Sequence, residues 1–556
     1  MAPSRATYEV LPRSSDEFIH DEDGGEEFKD KPILRPQKLR RLRRCISRLC
    51  RPVYITIFFA LLLAWQVVFN VPYADSRAPK FEIDREENVF IAANILDGEL
   101  VSGAWGRGLL ELVERIGKER VFVSVYGGPA TALRELEGML ECESSLVAEE
   151  EYPLDLGKIQ RTTLPTGEKR VKRIAFLAEI RNKALEPLRK GGKAVVGGKK
   201  WDKVLFINDV HFDAEGALRL LWGTNVNEAT GKAEYKAVCA ADFVTSWKYY
   251  DTFATRDAEG FSLGVPIFPW FSSEGEAVSR KDILQGKDAV RVKSCWGGMV
   301  AFDGRYFQAD NDSEISTPST SASQHKPATN KAGDTGIRIP SLPLTFRSEP
   351  EPFWDSSECC LIHADIMALP FYPPKSPNHD TDISIAQVKE IYDMGIYMNP
   401  FVRVAYDTHS FKWMWLTKRF ERAFALPQKI INYFASMPRF NYRRTEKEGQ
   451  SIPDELWISV HSNLTEAESI AAAQATSFDE SIKSSDVQKR ATLGKVQGKE
   501  YWANEGYYVD YTRKARRGGY CGVRQLLVFK ESFLAGHDEG GGNWDNLLNV
   551  VPPLHI

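Results

Sequence analysis

The stretch "VLFINDVHF", residues 204 to 212, decides the fold class and locates the first candidate site. Its four leading apolar residues predict a buried strand, which then ends on an amide and a carboxylate, Asn208 and Asp209. A carboxylate at the tip of a buried strand is costly unless it is hydrogen-bonded, exposed in a cleft or bound to a metal. Ordinary strand termination is the alternative, although Asp213 is better placed to cap the helix expected next.

Strands and helices alternate on both sides of this stretch. "RVFVSVYGG" (120–128) predicts a strand and "ATALRELEGMLEC" (130–142) a helix. "RVKRIAFLAEIRNKALEPLRK" (170–190) predicts a second strand, with a helix beginning near Arg181, and "DAEGALRLLWGT" (213–224) predicts a further helix. This alternation is typical of an α/β domain with a mainly parallel central sheet. Ligands of such sheets bind outside the carboxyl ends of the strands, where Gly127, Gly128 and Asp209 fall.

Composition indicates a globular protein without a nucleic-acid partner. The 556 residues are 43% apolar and 27% charged, with a net charge of −4. Nucleic-acid binding usually requires a strong excess of basic residues. This chain has a slight acidic excess, which argues against a nucleic-acid partner. The polar and acidic residues 1–36 have almost no apolar periodicity, so we expect them to be disordered.

An apolar run near the N-terminus predicts membrane attachment. The uncharged run Val53–Phe69 follows the basic cluster "KLRRLRRCISRLCRP" (38–52). The run favours a single transmembrane helix over 53–70, at the short end for a bilayer span, above the alternatives of a core helix and a signal peptide. Basic residues mark the cytosolic side. We therefore expect a type II protein of the early secretory pathway, with the bulk of the chain in the lumen.

These features divide the chain into five regions. The predicted regions are a cytosolic tail with a basic juxtamembrane segment (1–52), the transmembrane helix (53–70), a stem (71–87), a luminal catalytic domain (88–450) with a disordered insertion (309–337), and a C-terminal extension with a polar insertion (451–556).

Cysteines and sequons agree with a luminal address. Cys45 and Cys50 precede the apolar run and would lie in the cytosol. The other six would lie in an oxidising compartment, so up to three disulfides are expected, with a pairing that spacing does not reveal. Asn311 and Asn463 begin glycosylation sequons.

Several later motifs combine charged groups with aromatic rings. "CAADFVTSWKYYDTFATRDAEG" (239–260) and "SCWGGMVAFDG" (294–304) pair acids and bases with rings, as a sugar site does, although core packing is the alternative for such aromatic runs. Glycines in the second motif would let a ligand approach the backbone. The candidates for sugar or acceptor binding are Asp242, Asp251, Arg256, Trp296, Gly297 and Gly298, with Asp257 as a catalytic candidate.

The remaining candidates suit phosphate, metal or transition-state contacts. Arg181 and Arg347 could pair with phosphate in a bidentate fork, with Asn182 and Asn208 beside them. "FRSEPEPFWDSSECCLIHADI" (346–366) also contains Glu358, which could serve as a base or stabilise positive charge on a sugar. Asp209 offers the hard oxygen that Mg²⁺ and Mn²⁺ prefer. His363 is a further candidate metal ligand, although a lone histidine is more often structural.

In combination these segments resemble a known family. "AEIRNKAL", "VLFINDVHF", "CAADF", "YYDTFATRD", "SCWGG", "FRSE", "SSECCL" and "NPFVRVAY" follow the order and spacing of the fungal cryptococcal-type α-1,3-mannosyltransferases, also called capsule-associated mannosyltransferases. The resemblance covers roughly residues 88 to 410.

The resemblance implies a glycosyltransferase with a GT-A-like nucleotide-sugar domain. Such an enzyme would transfer mannose from GDP-mannose to a mannoside or other glycan acceptor with retention of configuration, would need a divalent cation, typically Mn²⁺, and would work beside other Golgi transferases. The family position for the metal-binding carboxylates reads Asn208-Asp209-Val210 here, so Asp209 inherits that role alone. The turn "YGGPAT" (126–131) also lacks the acidic residue expected there.

Two other functions remain open at this point. A glycoside hydrolase would also combine carboxylates with aromatic rings, but it would need no nucleotide-diphosphate site. The altered metal motif and the altered turn also allow a non-catalytic Golgi scaffold or partner that derives from a glycosyltransferase.

Overall fold

The computed structural model describes residues 52–164, 169–189, 191–308, 340–349, 351–369, 392–460, 464–475, 489–490, 506–529 and 544–546. The chain divides into two compact units, 1–62 and 63–556. The sequons at Asn311 and Asn463, the cysteines Cys45 and Cys50, and the predicted insertion 309–337 lie outside the described residues. The predicted C-terminal extension, 451–556, lies in the same compact unit as the predicted catalytic domain.

The apolar run near the N-terminus forms helix α1, Pro52–Phe69. Within the described ranges, no helix is both long enough and apolar enough to cross a membrane. The predicted transmembrane helix over 53–70 is therefore not found. The 18 residues of α1 correspond to a length of about 27 Å, below the ~30 Å of a typical hydrocarbon core.

The first half of the second unit supplies the parallel strands and their crossover helices. Its elements are β1 (Val89–Ile95), α2 (Gly98–Ser102), α3 (Ala104–Ile116), β2 (Val121–Gly127), α4 (Ala130–Met139), β3 (Glu143–Ala148), the hairpin strands β4 (Arg161–Thr163) and β5 (Lys169–Val171), α5 (Arg173–Ala184), β6 (Lys203–Ile207) and α6 (Ala214–Trp222). β2 and β6 are buried along their whole length, which fits strands covered on both faces. Asp213 caps α6 as predicted, because its carboxylate accepts the Gly216 N–H.

The second half completes the sheet and adds a C-terminal hairpin. Its elements are β7 (Ala237–Thr245), β8 (Lys248–Tyr249), β9 (Arg256–Asp257), α7 (Val278–Gln285), β10 (Val290–Ser294), β11 (Met299–Asp303), β12 (Asp355–Ser356), α8 (Glu358–Ala368), β13 (Ile396–Ala405), α9 (Thr408–Thr417), α10 (Ala425–Phe434), β14 (Ser451–Ser459), α11 (Glu466–Ala475), β15 (Lys489–Arg490), β16 (Gly506–Lys514), β17 (Gly522–Val523), β18 (Leu527–Phe529) and β19 (Trp544–Asn546).

The central sheet is mixed and largely parallel, which confirms the predicted α/β class. Its strand order is β3-β2-β1-β6-β11-β7-β13-β10-β9, and β8 pairs with β7. β3, β2, β1 and β6 are parallel neighbours, as are β7 and β13. β11 runs antiparallel to both β6 and β7. β6 and β7 therefore point the same way, and the carboxyl ends of six strands lie at one edge, next to the amino end of β11.

Two segments differ from the sequence prediction. β1 was not predicted, because "VFIAANI" follows a polar stretch, although the turn signal Asp97-Gly98 comes after it. Residues 173–184 form one helix, α5, where a strand followed by a helix was predicted. The run "IAFLAEI" has strand-like apolar residues, but its alanines, Leu177 and Glu179 favour a helix, and Ile174 and Ala178 are buried one turn apart on the sheet.

Candidate active site

The site lies where the strand order reverses beside β1. The chain passes from β1 outward to β2 and β3, and then returns to the other side of β1 with β6. A crevice at such a reversal, outside the carboxyl ends of the strands, is the usual ligand site of an open α/β sheet. Asp97 follows β1 and Asn208-Asp209 follow β6, so polar side chains come after both of the strands that flank this position.

Asn208 makes hydrogen bonds with residues of α3, α5 and the turn between β10 and β11. Its backbone N–H donates to the Gly298 carbonyl at 2.9 Å, and its own carbonyl accepts the indole N–H of Trp105 at 3.0 Å. Its side-chain oxygen accepts from the Trp296 indole at 3.1 Å and from Arg181 at 3.4 Å. The amide therefore fixes the position of both a ring and a guanidinium.

Arg181 extends from α5 to Asn208 and forms an ion pair with Glu358. Its Nε donates to Glu358 Oε1 at 3.0 Å, and its guanidinium carbon lies 4.2 Å from the Trp296 ring centroid. These contacts hold the planar group rigidly. Nη2 makes no hydrogen bond with the described residues, so this N–H group remains for a ligand.

Glu358 is the first residue of α8 and is almost fully buried. Oε1 also accepts from the Cys359 thiol at 3.4 Å, whereas Oε2 accepts no hydrogen bond in the described part of the chain. The Glu358 carboxylate, with one oxygen uncommitted, is thus held beside the guanidinium.

Asp209 is the exposed acid of the crevice. Partial desolvation raises the pKa of this carboxyl and nearby Asp97 raises it further, while its own backbone N–H and Arg181 act in the opposite direction. Desolvation is the largest of these effects, so the shift reflects the partly buried position of the Asp209 carboxyl.

Beneath the crevice, Asp251 organises the turn that carries Trp296. Its Oδ2 accepts the backbone N–H groups of Trp296 at 2.9 Å and Gly297 at 3.3 Å. Asp242 is buried below it, accepts the Asp251 N–H at 3.1 Å and accepts the Tyr406 hydroxyl at 3.1 Å. Burial and the neighbouring Asp251 raise the pKa of Asp242 well above its ordinary value. Asp242 and Asp251 were predicted to bind sugar or acceptor. In the structure both are buried, and they accept hydrogen bonds from backbone N–H groups and from the Tyr406 hydroxyl.

The Trp296 turn has a backbone that requires glycine. Gly297 has a φ of 59° and Gly298 a φ of 67°. A Cβ at Gly297 would collide with the Ala240 carbonyl oxygen. A disulfide between Cys239 and Cys295 ties the start of this turn to β7. Trp296 itself is buried, so it supports Arg181 and does not offer an open platform for a sugar.

Other predicted site residues have internal partners. Asn182 exchanges two hydrogen bonds with the Phe346 backbone, each at 2.9 Å. Arg347 makes a bidentate ion pair with Asp365 at 2.8 and 3.1 Å. Buried Arg256 donates to four backbone carbonyls, including those of Tyr520 and Cys521. These contacts support the fold around the crevice.

Asp257 and His363 are also buried away from solvent. Asp257 accepts the N–H groups of Glu259 and Phe261 in a tight turn, and burial raises its pKa to about 7. His363 donates its Nδ1–H to the Cys359 carbonyl at 2.7 Å, and its ring lies against that of Phe302. Burial lowers the pKa of His363 to about 4, so the imidazole is neutral.

Metal binding by the protein alone is not supported within the described ranges. They contain no group of three or more His, Cys, Asp or Glu side chains that could hold an ion. A cation in the crevice would therefore need ligands from a substrate in addition to Asp209.

Sequence reasoning missed three residues of the site. Asp97 follows a strand that was not predicted, and the pattern "VFIAANILDG" was the available signal. Tyr406 ends the quoted motif "NPFVRVAY" but was not singled out. Trp105 had no signal, since its contact with Asn208 spans distant parts of the chain.

The structure is thus an α/β protein that holds an arginine, a neighbouring carboxylate and an exposed acid at a topological switch point. The profile of a family described as Cryptococcal mannosyltransferase 1 matches residues 88–365, half of the chain, and this span includes every residue of the crevice named above except Tyr406. The chain belongs to this family and is thereby related to glycosyltransferases that transfer mannose.

One characterised relative was compared directly. The alpha-1,3-mannosyltransferase CMT1 of Cryptococcus neoformans var. neoformans serotype D is 26% identical over 221 residues. The matched stretch covers 36% of this chain and 43% of that protein, so the comparison spans less than half the length of the relative.

Proposed function

We propose that this chain is a glycosyltransferase that transfers mannose from GDP-mannose to a mannoside or other glycan acceptor, with an α-1,3 linkage and retention of configuration. The family match and the activity in the relative's name support mannosyl transfer. The observation that carries the proposal is the Arg181–Glu358 pair beside Asp209, at the switch point of a sheet whose order fits a GT-A-like domain.

Arg181 would bind the diphosphate of the donor. Its guanidinium is pre-positioned by Glu358, Asn208 and the Trp296 ring, so little side-chain entropy is lost when an anion binds. Negative charge grows on the leaving diphosphate as the glycosidic bond breaks. A fixed cation aimed at that charge stabilises the transition state more than the ground state.

Glu358 would act on the sugar. The reacting carbon of a glycosyl donor becomes positively charged in the transition state. The uncommitted Oε2 of Glu358 is a negative group held next to the arginine that would bind the leaving group. The pair thus presents opposite charges to the two halves of the breaking bond.

Asp209 would hold a divalent cation, most suitably Mn²⁺. The donor set fits an ion that takes one protein carboxylate and completes its shell with phosphate oxygens and water. The observation in favour is that Asp209 is exposed shortly after β6, as Asp97 is after the neighbouring strand β1. When bound, the ion would neutralise charge on the diphosphate.

We also propose that the enzyme works in an oxidising compartment, with the Golgi lumen as the expected one. The disulfides Cys239–Cys295 and Cys360–Cys521 support this, since such bonds persist in the secretory pathway and are rare in the cytosol.

The proposal is tested with the purified full-length chain and a panel of nucleotide sugars, with and without Mn²⁺ and with candidate mannosides. Of the nucleotide sugars in the panel, we expect only GDP-mannose to be cleaved, with release of GDP and transfer of mannose to the acceptor. Asp209→Asn should lower kcat by about a hundredfold or more, whereas Asp155→Asn, in an exposed loop, should leave it unchanged. Absence of both hydrolysis and transfer from every donor would overturn the proposal and favour a scaffold. Wild-type transfer by Asp209→Asn would refute the metal role.

A further inference from the structure

Helix α10 is packed with its polar side inward. Its two buried side chains are Gln428 and Asn432. Gln428 accepts a hydrogen bond from Arg280 and donates to backbone carbonyls, and Asn432 accepts the Val265 N–H at 2.7 Å. The helix is thus held to the protein by hydrogen bonds and not by its apolar residues.

The apolar side of α10 faces outward. Leu426, Ile430 and Ile431 are exposed, and the helix ends in Tyr433 and Phe434, which are 82% and 81% exposed. Phe440, in the loop that follows, is 91% exposed. A surface helix normally buries its apolar stripe, so this reversal indicates a second environment on the outside. We call these six residues the α10 surface.

Cations outnumber acids in the segment that carries the α10 surface. Residues 408–445 include the exposed cations Lys412, Arg419, Lys429 and Arg439, none of which forms an ion pair with the described residues. The segment has a single acid, Glu421, which is buried and paired with Arg403 at 2.7 Å. Glu274 is an exposed acid that lines a cleft together with Arg439 and Phe440.

We infer that the α10 surface is an interfacial membrane-binding site that inserts into the headgroup region of an anionic bilayer. Aromatic and aliphatic side chains flanked by lysine and arginine are the features of helices that lie in a bilayer interface. A second copy of this chain would bring the same cations face to face, which argues against a self-interface. Membrane docking here would hold the crevice at a lipid surface independently of α1.

Hydrogen–deuterium exchange of the full-length protein tests this inference segment by segment. Backbone exchange over 425–440 should slow severalfold when vesicles of phosphatidylcholine with phosphatidylserine are added, and much less with phosphatidylcholine alone. The double variant Ile430→Gln/Phe434→Ser should abolish this local protection and weaken vesicle binding by about tenfold for each apolar group removed. Tyr152→Ser is the matched control, because Tyr152 is also an exposed aromatic residue, on a distant loop.

Three outcomes would overturn the inference. They are equal exchange over 425–440 with and without anionic vesicles, protection that rises with protein concentration in the absence of vesicles, which would indicate a second copy, and protection that survives in the double variant. Vesicle binding through α1 alone gives the first of these, so the exchange pattern separates the two modes. Donor hydrolysis in detergent is a separate readout and is not expected to change in the double variant.

Discussion

At the scale of single residues, Glu358 positions Arg181 through an ion pair in the candidate site. Glu358→Gln keeps a hydrogen-bond acceptor for Arg181 but removes the negative charge beside the sugar. We expect kcat for donor cleavage to fall by about a hundredfold or more, with little change in KM, because the lost charge acts mainly in the transition state. Release of the nucleoside diphosphate measures this.

The matched control for that variant is Glu351→Gln. Glu351 accepts two hydrogen bonds of 2.6 Å from Arg443, and both residues line a pocket that does not include Arg181 or Glu358. Both variants remove one carboxylate from an arginine pair and should destabilise the fold by similar amounts, on the order of 1–3 kcal/mol. Equal losses of kcat in the two variants would mean that Glu358 is only structural.

Asp257 should make stability depend on pH. Burial raises its pKa to about 7, whereas an unfolded aspartate ionises near pH ~4. Between these values the folded state retains a proton that the unfolded state has lost, so the contribution of Asp257 to stability falls as the pH rises from about 4 to about 7. Asp257→Asn stays neutral and keeps the acceptor for Glu259 and Phe261.

The variant Asp257→Asn should therefore melt at a higher temperature than the wild type at pH 8 and at a similar one at pH 4. Thermal unfolding across this range is the measurement. Donor cleavage should remain near the wild-type rate, since Asp257 lies in a closed turn. A parallel pH dependence in both proteins would show that the carboxyl is already ionised in the folded state.

At the scale of elements, the turn between β10 and β11 places Trp296 in the site. Gly297→Ala should cost several kcal/mol, because the new Cβ meets the Ala240 carbonyl and the φ of 59° is unfavourable for alanine. Gly138→Ala, in α4 with open space around its Cα, should instead stabilise by about 0.5–1 kcal/mol. Denaturant unfolding of the two variants measures the contrast.

Elements whose pattern was unambiguous were predicted from sequence, and the others were decided by tertiary contacts. β2, β6 and α6 were predicted correctly, because mostly apolar runs and the capping residue Asp213 are signals that lie within or next to each element. α5 was misread, since its apolar run fits a strand until the sheet beneath it is known. Arg181 lies in the candidate site, but its helix begins at Arg173 and not near Arg181 as predicted.

The sequence does not reveal which buried acids support the candidate site from within the fold. Asp242 and Asp251 were chosen because acids beside rings suit sugars, but their contacts run to Tyr406 and to the Trp296 turn, residues distant in the chain. Whether such an acid faces a ligand or a backbone N–H depends on which strands are neighbours, and sequence spacing alone does not specify that order.

At the scale of the whole molecule, the C-terminal segment is part of the catalytic fold. β17 pairs with β12 immediately before Glu358, and a disulfide joins Cys360 of α8 to Cys521. Phe529 of β18 stacks on Phe176 of α5, with ring centroids 4.8 Å apart. The two helices that supply Glu358 and Arg181 are therefore both held by residues beyond 505.

A chain that ends after residue 505 should lose both stability and activity. Truncation removes the Tyr520 and Cys521 carbonyls that accept from Arg256, and so leaves a buried cation without two of its acceptors. It also releases α8, whose first residue is Glu358. We expect no cooperative thermal transition and no donor cleavage, whereas a chain that ends after residue 546 should melt as one unit and remain active. Cooperative melting of the shorter chain within a few degrees of the full-length protein would show that the catalytic domain folds without this segment.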